Sequence, residues 1–262
     1  MPVTKFQAKI AKLLSVNRSP DSHLAGGAAM HFEPQTLRYS NDLDYFHDSE
    51  QRVATAFNDD QALLLKNKYS MQIEMNQPGF IRAIVSQNTN STKVEWSYDS
   101  AWRFMPTVFS EDRGYHLHPV DLATNKVLTL AGRDEARDYL DVHEANNKIL
   151  ALGTLIWAAC GKDPGFTPHS LYSLLQRKGK YHEEDFSRLH LNIPINLLDL
   201  KTKWLEMLKE AEDFINQRPA DEVGCLYYSC SQKQFVIPSL KNITNDIKLH
   251  YASLGGILPK VG

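Results

Sequence analysis

Residues 38–46 read RYSNDLDYF, and this stretch decides the fold of the first part of the chain. Every second residue falls on one face of the pattern, which therefore carries Arg38, Ser40, Asp42 and Asp44. Alternation with a period of two is typical of a β-strand. A strand at this position would place the carboxylates of Asp42 and Asp44 next to each other on one face.

Two carboxylates held this close repel each other unless a cation neutralises them. Magnesium in proteins is usually bound by one or two carboxylates together with the phosphates of a substrate. Asp42 and Asp44 therefore indicate a divalent-metal site of the kind that serves phosphoryl or nucleotidyl transfer. For an isolated Asp-x-Asp, the ordinary alternative is a solvated strand end, and the surrounding sequence has to decide between the two.

Strand and helix patterns surround this stretch. The pair Gly26-Gly27 follows a short apolar run and predicts a turn that leads into a helix. Apolar residues at helical spacing predict helices over residues 1–16 and 51–66. Runs of alternating residues predict strands over residues 71–75, 79–86 and 92–96. This order of elements favours a mixed sheet with helices packed on it.

Helical patterns predominate after residue 119. They predict helices over residues 121–131, 141–160 and 200–217, a further helix capped by Thr167 or Ser170, and a pair of short strands within residues 225–237. We place a domain boundary near Pro119, where the pattern changes. The expected fold class is α+β, with a mixed-sheet core and flanking helices in residues 1–119 and a mainly helical C-terminal domain in residues 120–262.

Composition narrows the class of protein. The 262 residues carry 29 basic and 31 acidic side chains, a balance that excludes a generally basic nucleic-acid coat but allows a local basic patch. The three cysteines, Cys160, Cys225 and Cys230, form no Cys-x-x-Cys pair, so a disulfide framework or a zinc ribbon is not expected. No stretch has the apolar length needed to cross a bilayer. We therefore expect a cytoplasmic protein without a membrane segment.

Two ordered blocks carry a resemblance to a known family. Residues 26–46, GGAAMHFEPQTLRYSNDLDYF, resemble the first motif of the nucleotidyltransferase superfamily, in which a small-residue turn precedes an Asp-x-Asp strand. More closely, they resemble the AbiEii family of bacterial nucleotidyltransferases, the toxins of type IV toxin–antitoxin and phage-defence systems. Residues 121–145, DLATNKVLTLAGRDEARDYLDVHEA, are similar to that family's lysine helix followed by Arg-x-x-x-Arg-Asp-x-x-Asp. The C-terminal part of the chain also resembles the C-terminal region of that family.

The resemblance assigns roles to the residues of the first block. Asp42 and Asp44 would bind Mg²⁺ or Mn²⁺, and the backbone of Gly26 and Gly27 would approach the triphosphate of an NTP. Ala28 departs from the family pattern, which often has a hydroxyl side chain there, so Ser40 is a candidate to assist in phosphate binding.

The superfamily usually adds a third carboxylate on a neighbouring strand. Glu95 is the candidate for this ligand, and a charged residue on an exposed sheet face is the alternative reading. In the second block, Lys126 would bind the triphosphate. Asp138, favoured over Asp141, would orient this lysine.

The function implied is transfer of a nucleoside monophosphate from an NTP to RNA, at the acceptor end of tRNA by the family resemblance, with an antitoxin as a possible partner. A focused basic patch would then be needed, and its candidates are Arg82, Lys93, Arg103, Arg133 and Arg137. A small-molecule nucleotidyltransferase and a catalytically silent partner-binding protein remain alternatives.

Three weaker patterns suggest a function, but each has a more ordinary structural explanation. They are His116 with His118 as metal ligands, Ser229-Cys230 as a nucleophile, and residues 177–180 as a basic loop for single-stranded nucleic acid.

Overall fold

The computed structural model describes residues 3–32, 35–238 and 245–260. The chain divides into two compact units. The first unit comprises Met1–Ala101, Pro106–His118 and His190–Ile193. The second comprises Trp102–Met105, Pro119–Leu189 and Pro194–Gly262. Among the residues described, no helix is both long and apolar enough to span a membrane.

The secondary structure of the described ranges is mixed. The strands are β1 Ser22–Ala25, β2 Asp42–His47, β3 Ser70–Gln77, β4 Phe80–Gln87, β5 Asn90–Tyr98, β6 Trp102–Arg103, β7 Val108–Ser110, β8 Gly114–His116, β9 Cys225–Ser229, β10 Gln234–Phe235, β11 Ile247–Tyr251 and β12 Ser253–Leu254. The helices are α1 Lys5–Leu14, α2 Gly26–Met30, α3 Glu50–Lys66, α4 Pro119–Gly132, α5 Ala136–Lys148, α6 Leu152–Lys162, α7 Pro168–Leu175, α8 Glu183–Ser187 and α9 Leu197–Gln217. The predicted α+β class is confirmed.

The first unit is built on a seven-stranded sheet, counted over the described residues, in the order β3-β4-β5-β2-β1-β8-β7. Tight turns join β3, β4 and β5 into an antiparallel meander, and the residues that make these turns, Gly79 and Asn88, both have positive φ. β2 then pairs with β5 in parallel and with β1 antiparallel. The strands predicted over residues 71–75, 79–86 and 92–96 are confirmed as β3, β4 and β5.

One face of this sheet forms the hydrophobic core of the first unit. Leu43 and Tyr45 of β2 are fully buried, as is Trp96 of β5. Phe57 of α3 packs edge-on against Trp96, with ring centroids 5.1 Å apart. Because side chains alternate along a strand, burial of Leu43 and Tyr45 turns Asp42 and Asp44 to the opposite face. The hydrophobic core therefore fixes the direction of both carboxylates.

The strand pattern over residues 38–46 holds only in its second half. β2 begins at Asp42, and the residues before it pair with a distant segment. Tyr39 donates its backbone N–H to His190, and Asn192 donates its backbone N–H to Leu37. The local sequence could not show this pairing, because the partner segment lies about 150 residues further along the chain. The prediction of one strand over residues 38–46 was therefore wrong for its first four residues.

A buried ion pair lies within the core of the first unit. Arg18 Nη2 donates to both carboxylate oxygens of Asp60, at 2.6 and 2.7 Å, and neither side chain is exposed. Asp60 also accepts from Trp96 Nε1 at 2.8 Å and from Asn17 Nδ2 at 2.9 Å. The guanidinium of Arg18 lies over the ring of Tyr45, 4.4 Å from its centroid. This cluster ties α3 to β5 and to the segment before β1.

We predict that Asp60→Ala lowers the free energy of unfolding by about 3–5 kcal/mol, because it leaves the guanidinium of Arg18 buried without its counter-ion. Urea unfolding gives the measurement. Asp59→Ala is the control, since Asp59 is the exposed neighbour on the same helix and its loss should change stability by about 0.5 kcal/mol or less. Equal effects of the two substitutions would contradict the assigned role of Asp60.

The second unit is mainly helical, as predicted, and its core is formed by apolar faces of its helices. The most buried side chains include Leu130 of α4, Leu140 of α5, Leu155 of α6 and Ala211 of α9. A small antiparallel sheet, β10-β9-β11, joins these helices. The helix predicted after Thr167 or Ser170 is confirmed as α7, where the two side chains form a reciprocal cap.

The prediction of a single helix over residues 141–160 is wrong. The structure has two helices, α5 and α6, separated at residues 149–151. The side chain of Asn146 accepts a hydrogen bond at 2.8 Å from the backbone N–H of Leu152, one of the first amides of α6. Helices leave such amides without partners inside the helix, and a side-chain acceptor satisfies them. The apolar spacing continues through the break, so periodicity alone could not show it.

Candidate active site

Five charged side chains share one face of the first unit's sheet. In the parallel pairing of β2 with β5, Asp42 lies opposite Lys93 and Asp44 lies opposite Glu95. In the antiparallel pairing of β4 with β5, Arg82 lies opposite Glu95. Residues directly opposite each other point to the same side of a sheet. The sheet register therefore brings the predicted metal ligands Asp42, Asp44 and Glu95 to adjacent strands on one face.

Two cations neutralise part of this carboxylate cluster. Lys93 Nζ lies 2.9 Å from Asp42 Oδ2 and 3.2 Å from Glu95 Oε1. Arg82 Nε donates to Glu95 Oε1 at 2.8 Å. Partial burial by itself lowers the pKa of Lys93, but the hydrogen bonds and negative charges of Asp42 and Glu95 outweigh it and raise that pKa. Lys93 is therefore held as an ammonium between the two carboxylates.

The Gly-Gly turn lies directly against the Asp-x-Asp strand. Ala25 of β1 pairs with Asp44 of β2, so the residue after Ala25 starts α2 beside this carboxylate. Gly26 has φ +59°, and a Cβ there would overlap Asp44 Oδ2. Both its conformation and its closeness to Asp44 therefore require glycine.

Gly27 is similarly enclosed. A Cβ at Gly27 would lie 3.0 Å from Ser40 Oγ and 3.2 Å from Arg38 Nη2. Ser40 Oγ donates to the backbone carbonyl of Asp42 at 3.0 Å and lies 3.5 Å from Asp42 Oδ1. The structure thus brings Gly26, Gly27, Ser40 and Asp44 together, although they span 19 positions of the sequence.

A hydrogen bond from α1 holds the segment that carries Ser40. Gln7 Nε2 donates to the backbone carbonyl of Ser40 at 3.1 Å and to Thr92 Oγ1 at 3.2 Å. Gln7 and Thr92 are both buried. Sequence reasoning missed Gln7, because a glutamine in an amphipathic helix gives no local sign that it holds a distant loop. Ala28, at the position where the AbiEii family often has a hydroxyl side chain, is fully buried.

We predict that Gly26→Ala lowers stability by about 2 kcal/mol or more, since it combines a left-handed backbone with a clash against Asp44. Thermal or urea unfolding measures the change. Gly132→Ala is the matched control: Gly132 ends α4, has nothing within 4 Å of an added Cβ, and should tolerate alanine with no loss. If both variants unfolded alike, the close approach of Gly26 to Asp44 would be disproved.

The second unit contains the predicted lysine and its acidic partners. Lys126 of α4 is largely buried, and its Nζ lies 2.7 Å from Asp141 Oδ2 and 3.4 Å from Asp138 Oδ1. Both aspartates lie on α5 with no exposed side-chain area. Arg133 Nε donates to Asp138 Oδ2 at 2.7 Å. Both aspartates therefore hold Lys126, and Asp141 makes the shorter contact.

A second buried lysine–aspartate pair lies nearby in the same unit. Asp121 is fully buried and accepts from the backbone amides of Phe104 and Met105, at 2.8 and 3.0 Å. Lys162 Nζ donates to the same carboxylate at 3.1 Å. Sequence spacing places Asp121 on the face of Lys126. In the structure its carboxylate instead binds Lys162 and the backbone of the two residues that follow β6, which no local pattern could indicate.

The weaker patterns have structural explanations. The ring of His116 is buried, its pKa is lowered mainly by that burial, and Nδ1 lies 3.1 Å from the carbonyl of Leu117. Ser229 Oγ donates to Asp246 at 2.6 Å. In the basic run, Lys178 Nζ donates to the carbonyl of Arg133 at 3.3 Å. None of these contacts prepares a nucleophile or a transition-metal site.

The carboxylates beside the Gly-Gly turn are the candidate ligands for a divalent ion. Within the described part of the chain, no three His, Cys, Asp or Glu residues are arranged as a ready metal cluster. Asp42 and Asp44 nevertheless supply hard oxygen ligands from one face beside the Gly-Gly turn, and Mg²⁺ needs only one or two carboxylates when phosphates complete its shell. The pair fits such an ion. Glu95 lies beside them and is paired with Arg82 and Lys93.

Comparison with solved structures identifies the fold. The chain superposes on MenT4, the nucleotidyltransferase toxin Rv2826c from Mycobacterium tuberculosis H37Rv, with a TM-score of 0.56 over 82% of this chain and 83% of that one. The chain has the fold of a nucleotidyltransferase toxin. JHP933 from Helicobacter pylori gives a TM-score of 0.49 over 81% of this chain and 92% of that one. Sequence identity to the two is 13% and 14%. The sequence matches no known family profile and no curated protein.

Within this nucleotidyltransferase-toxin fold, the Asp-x-Asp strand and the Gly-Gly turn that the sequence singled out lie against each other in the first unit. The lysine that it singled out lies among buried aspartates in the second unit. The likeness to MenT4 is one of architecture.

Proposed function

We propose that the protein is a metal-dependent nucleotidyltransferase that transfers a nucleoside monophosphate from an NTP to an acceptor and releases pyrophosphate. The single observation that carries the proposal is the position of Asp44 against Gly26, with Asp42 and Ser40 beside them. Paired carboxylates next to a glycine turn combine ligands for a divalent ion with backbone that a phosphate can approach closely. The nucleotidyltransferase-toxin fold supports this reading.

In this mechanism Asp42 and Asp44 would hold Mg²⁺ or Mn²⁺, with Glu95 as a candidate third ligand. The ion supplies charge neutralisation for the triphosphate and for the oxygen atoms between which the phosphoryl group moves. The backbone of Gly26 and Gly27 positions the phosphates, and Ser40 adds a hydroxyl group on the same side. Positioning and electrostatics carry the reaction, so no covalent enzyme intermediate is required.

Lys126 is the proposed cation for the triphosphate. Asp138 and Asp141 lie 3.4 and 2.7 Å from its Nζ, so these aspartates act as positioning residues that fix the direction of a buried lysine side chain. A lysine ammonium is a compact point charge with three donors, well suited to phosphate oxygens. Arg133 shares Asp138, which leaves Asp141 as the closer partner of Lys126.

The acceptor we propose is RNA, at the acceptor end of tRNA, with the protein acting as an AbiEii-type toxin that a cognate antitoxin restrains. The resemblance of residues 26–46 and 121–145 to that family supports this proposal, and the toxin fold is consistent with it. Of the basic residues considered for RNA binding, Arg82, Lys93 and Arg133 form ion pairs with carboxylates of their own unit. RNA would therefore have to compete with these pairs or use other cations.

We predict that the purified protein, given Mg²⁺, labelled NTPs and total cellular RNA, transfers label to RNA. Asp42→Asn should reduce the rate at least about a hundredfold, because it removes a metal ligand needed in the transition state. Asp59→Asn, a charge loss on the exposed face of α3, is the control and should retain the rate.

Three outcomes are informative. Label that disappears after RNase treatment identifies RNA as the acceptor, whereas RNase-resistant low-molecular-weight product identifies a small-molecule nucleotidyltransferase. Absence of label from every NTP, together with no thermal stabilisation by NTP and Mg²⁺, would leave a catalytically silent binding protein and overturn the proposed function.

We predict that Lys126→Met weakens NTP binding about tenfold, seen as a raised KM, because it removes the proposed triphosphate cation. Lys162→Met is the matched control, since it breaks an equally buried lysine–aspartate pair in the same unit. Both variants should unfold at a lower temperature. If the two affected KM equally, Lys126 would be a structural residue and its proposed role would fail.

A further inference from the structure

The charges on the sheet face of the first unit are not arranged as an open carboxylate site. Three carboxylates, those of Asp42, Asp44 and Glu95, lie on adjacent strands with two cations among them. Lys93 Nζ bridges Asp42 and Glu95 at 2.9 and 3.2 Å, so it occupies the space between a proposed metal ligand and the candidate third ligand. Sequence reasoning regarded Lys93 only as a possible contact for RNA.

We propose that Lys93 is a built-in counter-cation of the carboxylate site that competes with the divalent ion for Asp42 and has to be displaced when the ion binds. This inference rests on the proposed function, because it concerns the metal site assigned there. In this role the positive charge of Lys93 stabilises the protein when no metal is bound and weakens the binding of the ion.

The geometry of each ion pair supports displacement of Lys93. The Lys93 side chain is 31% exposed and has a flexible four-carbon stem, so its ammonium group can move into solvent. Glu95 would keep a partner after this movement, because Arg82 Nε donates to it at 2.8 Å. Departure of Lys93 would therefore leave Asp42 as the carboxylate in need of a new cation, beside Asp44.

The charges give the sign of the effect. An ammonium 2.9 Å from Asp42 Oδ2 would lie within a few ångströms of a dication bound to the same carboxylate, and like charges at such distances repel strongly outside bulk water. Arg82 is directed to Glu95, with 2.8 Å between its Nε and Glu95 Oε1. The competition therefore falls on Lys93, and a neutral side chain of similar length at position 93 should favour metal binding.

The test is the affinity of Mn²⁺ measured in the absence of nucleotide, by electron paramagnetic resonance or calorimetry, for the full chain and its Lys93→Met variant. We expect Lys93→Met to bind Mn²⁺ about tenfold more tightly, since one nearby positive charge is removed. Lys66→Met removes a lysine from the exposed end of α3 and should leave the affinity unchanged. Adding Asp42→Asn to Lys93→Met should abolish the gain.

A second readout guards against misfolding. Without metal, Lys93→Met should melt at a lower temperature than the parent protein, because Asp42 loses its counter-ion. Mn²⁺ should then raise the melting temperature of Lys93→Met by more than it raises that of the parent protein. Lys93→Gln should behave in the same way if the methionine variant does not fold. Unchanged or weaker Mn²⁺ binding by these variants would overturn the proposal.

The outcome separates this proposal from the proposed function. Tighter Mn²⁺ binding without any nucleotide transfer would support the role of Lys93 and contradict the function. Nucleotide transfer with unchanged Mn²⁺ affinity in Lys93→Met would support the function and disprove the role of Lys93.

Discussion

The parallel pairing of β2 with β5 is the constraint on which the rest of the first unit depends. Its register places Leu43 and Tyr45 in the core together with Trp96, and the same alternation leaves Asp42 and Asp44 on the opposite face. A slip of one residue would exchange the two faces, burying carboxylates and exposing aromatic rings. The free energy of core packing thus holds the carboxylates in position.

Both units neutralise a cluster of carboxylates with a neighbouring lysine. Lys93 lies between Asp42 and Glu95 in the first unit, and Lys126 lies between Asp138 and Asp141 in the second. Asp138 and Asp141 have no exposed side-chain area, so either one would be strongly destabilising without a cation within hydrogen-bond distance. The same proximity makes these lysines responsive to a newly bound ion or phosphate, which would change the charge that each one faces.

This chain and MenT4 share their architecture at 13% sequence identity, and the likeness has a physical basis. A mixed sheet covered by helices requires apolar side chains at alternating strand positions and along one helix face, and many residue combinations satisfy these requirements. Steric demands at Gly26, where a side chain would overlap Asp44, are far more restrictive. A fold can therefore persist while most of its residues differ, with tight constraints only where backbone and carboxylate approach each other.

The sequence by itself determined the α+β class, the strands of the meander, most helices, and the candidate pair of Asp42 and Asp44 with its glycine turn. These features depend on local periodicity and on turn chemistry, which short stretches of sequence encode. Only the tertiary structure decided that β2 starts at Asp42, that Asn146 separates α5 from α6, and that Lys93 lies on Asp42. Each of these depends on contacts between residues distant in sequence or on a side chain that caps a neighbouring helix, and no periodic pattern carries that information.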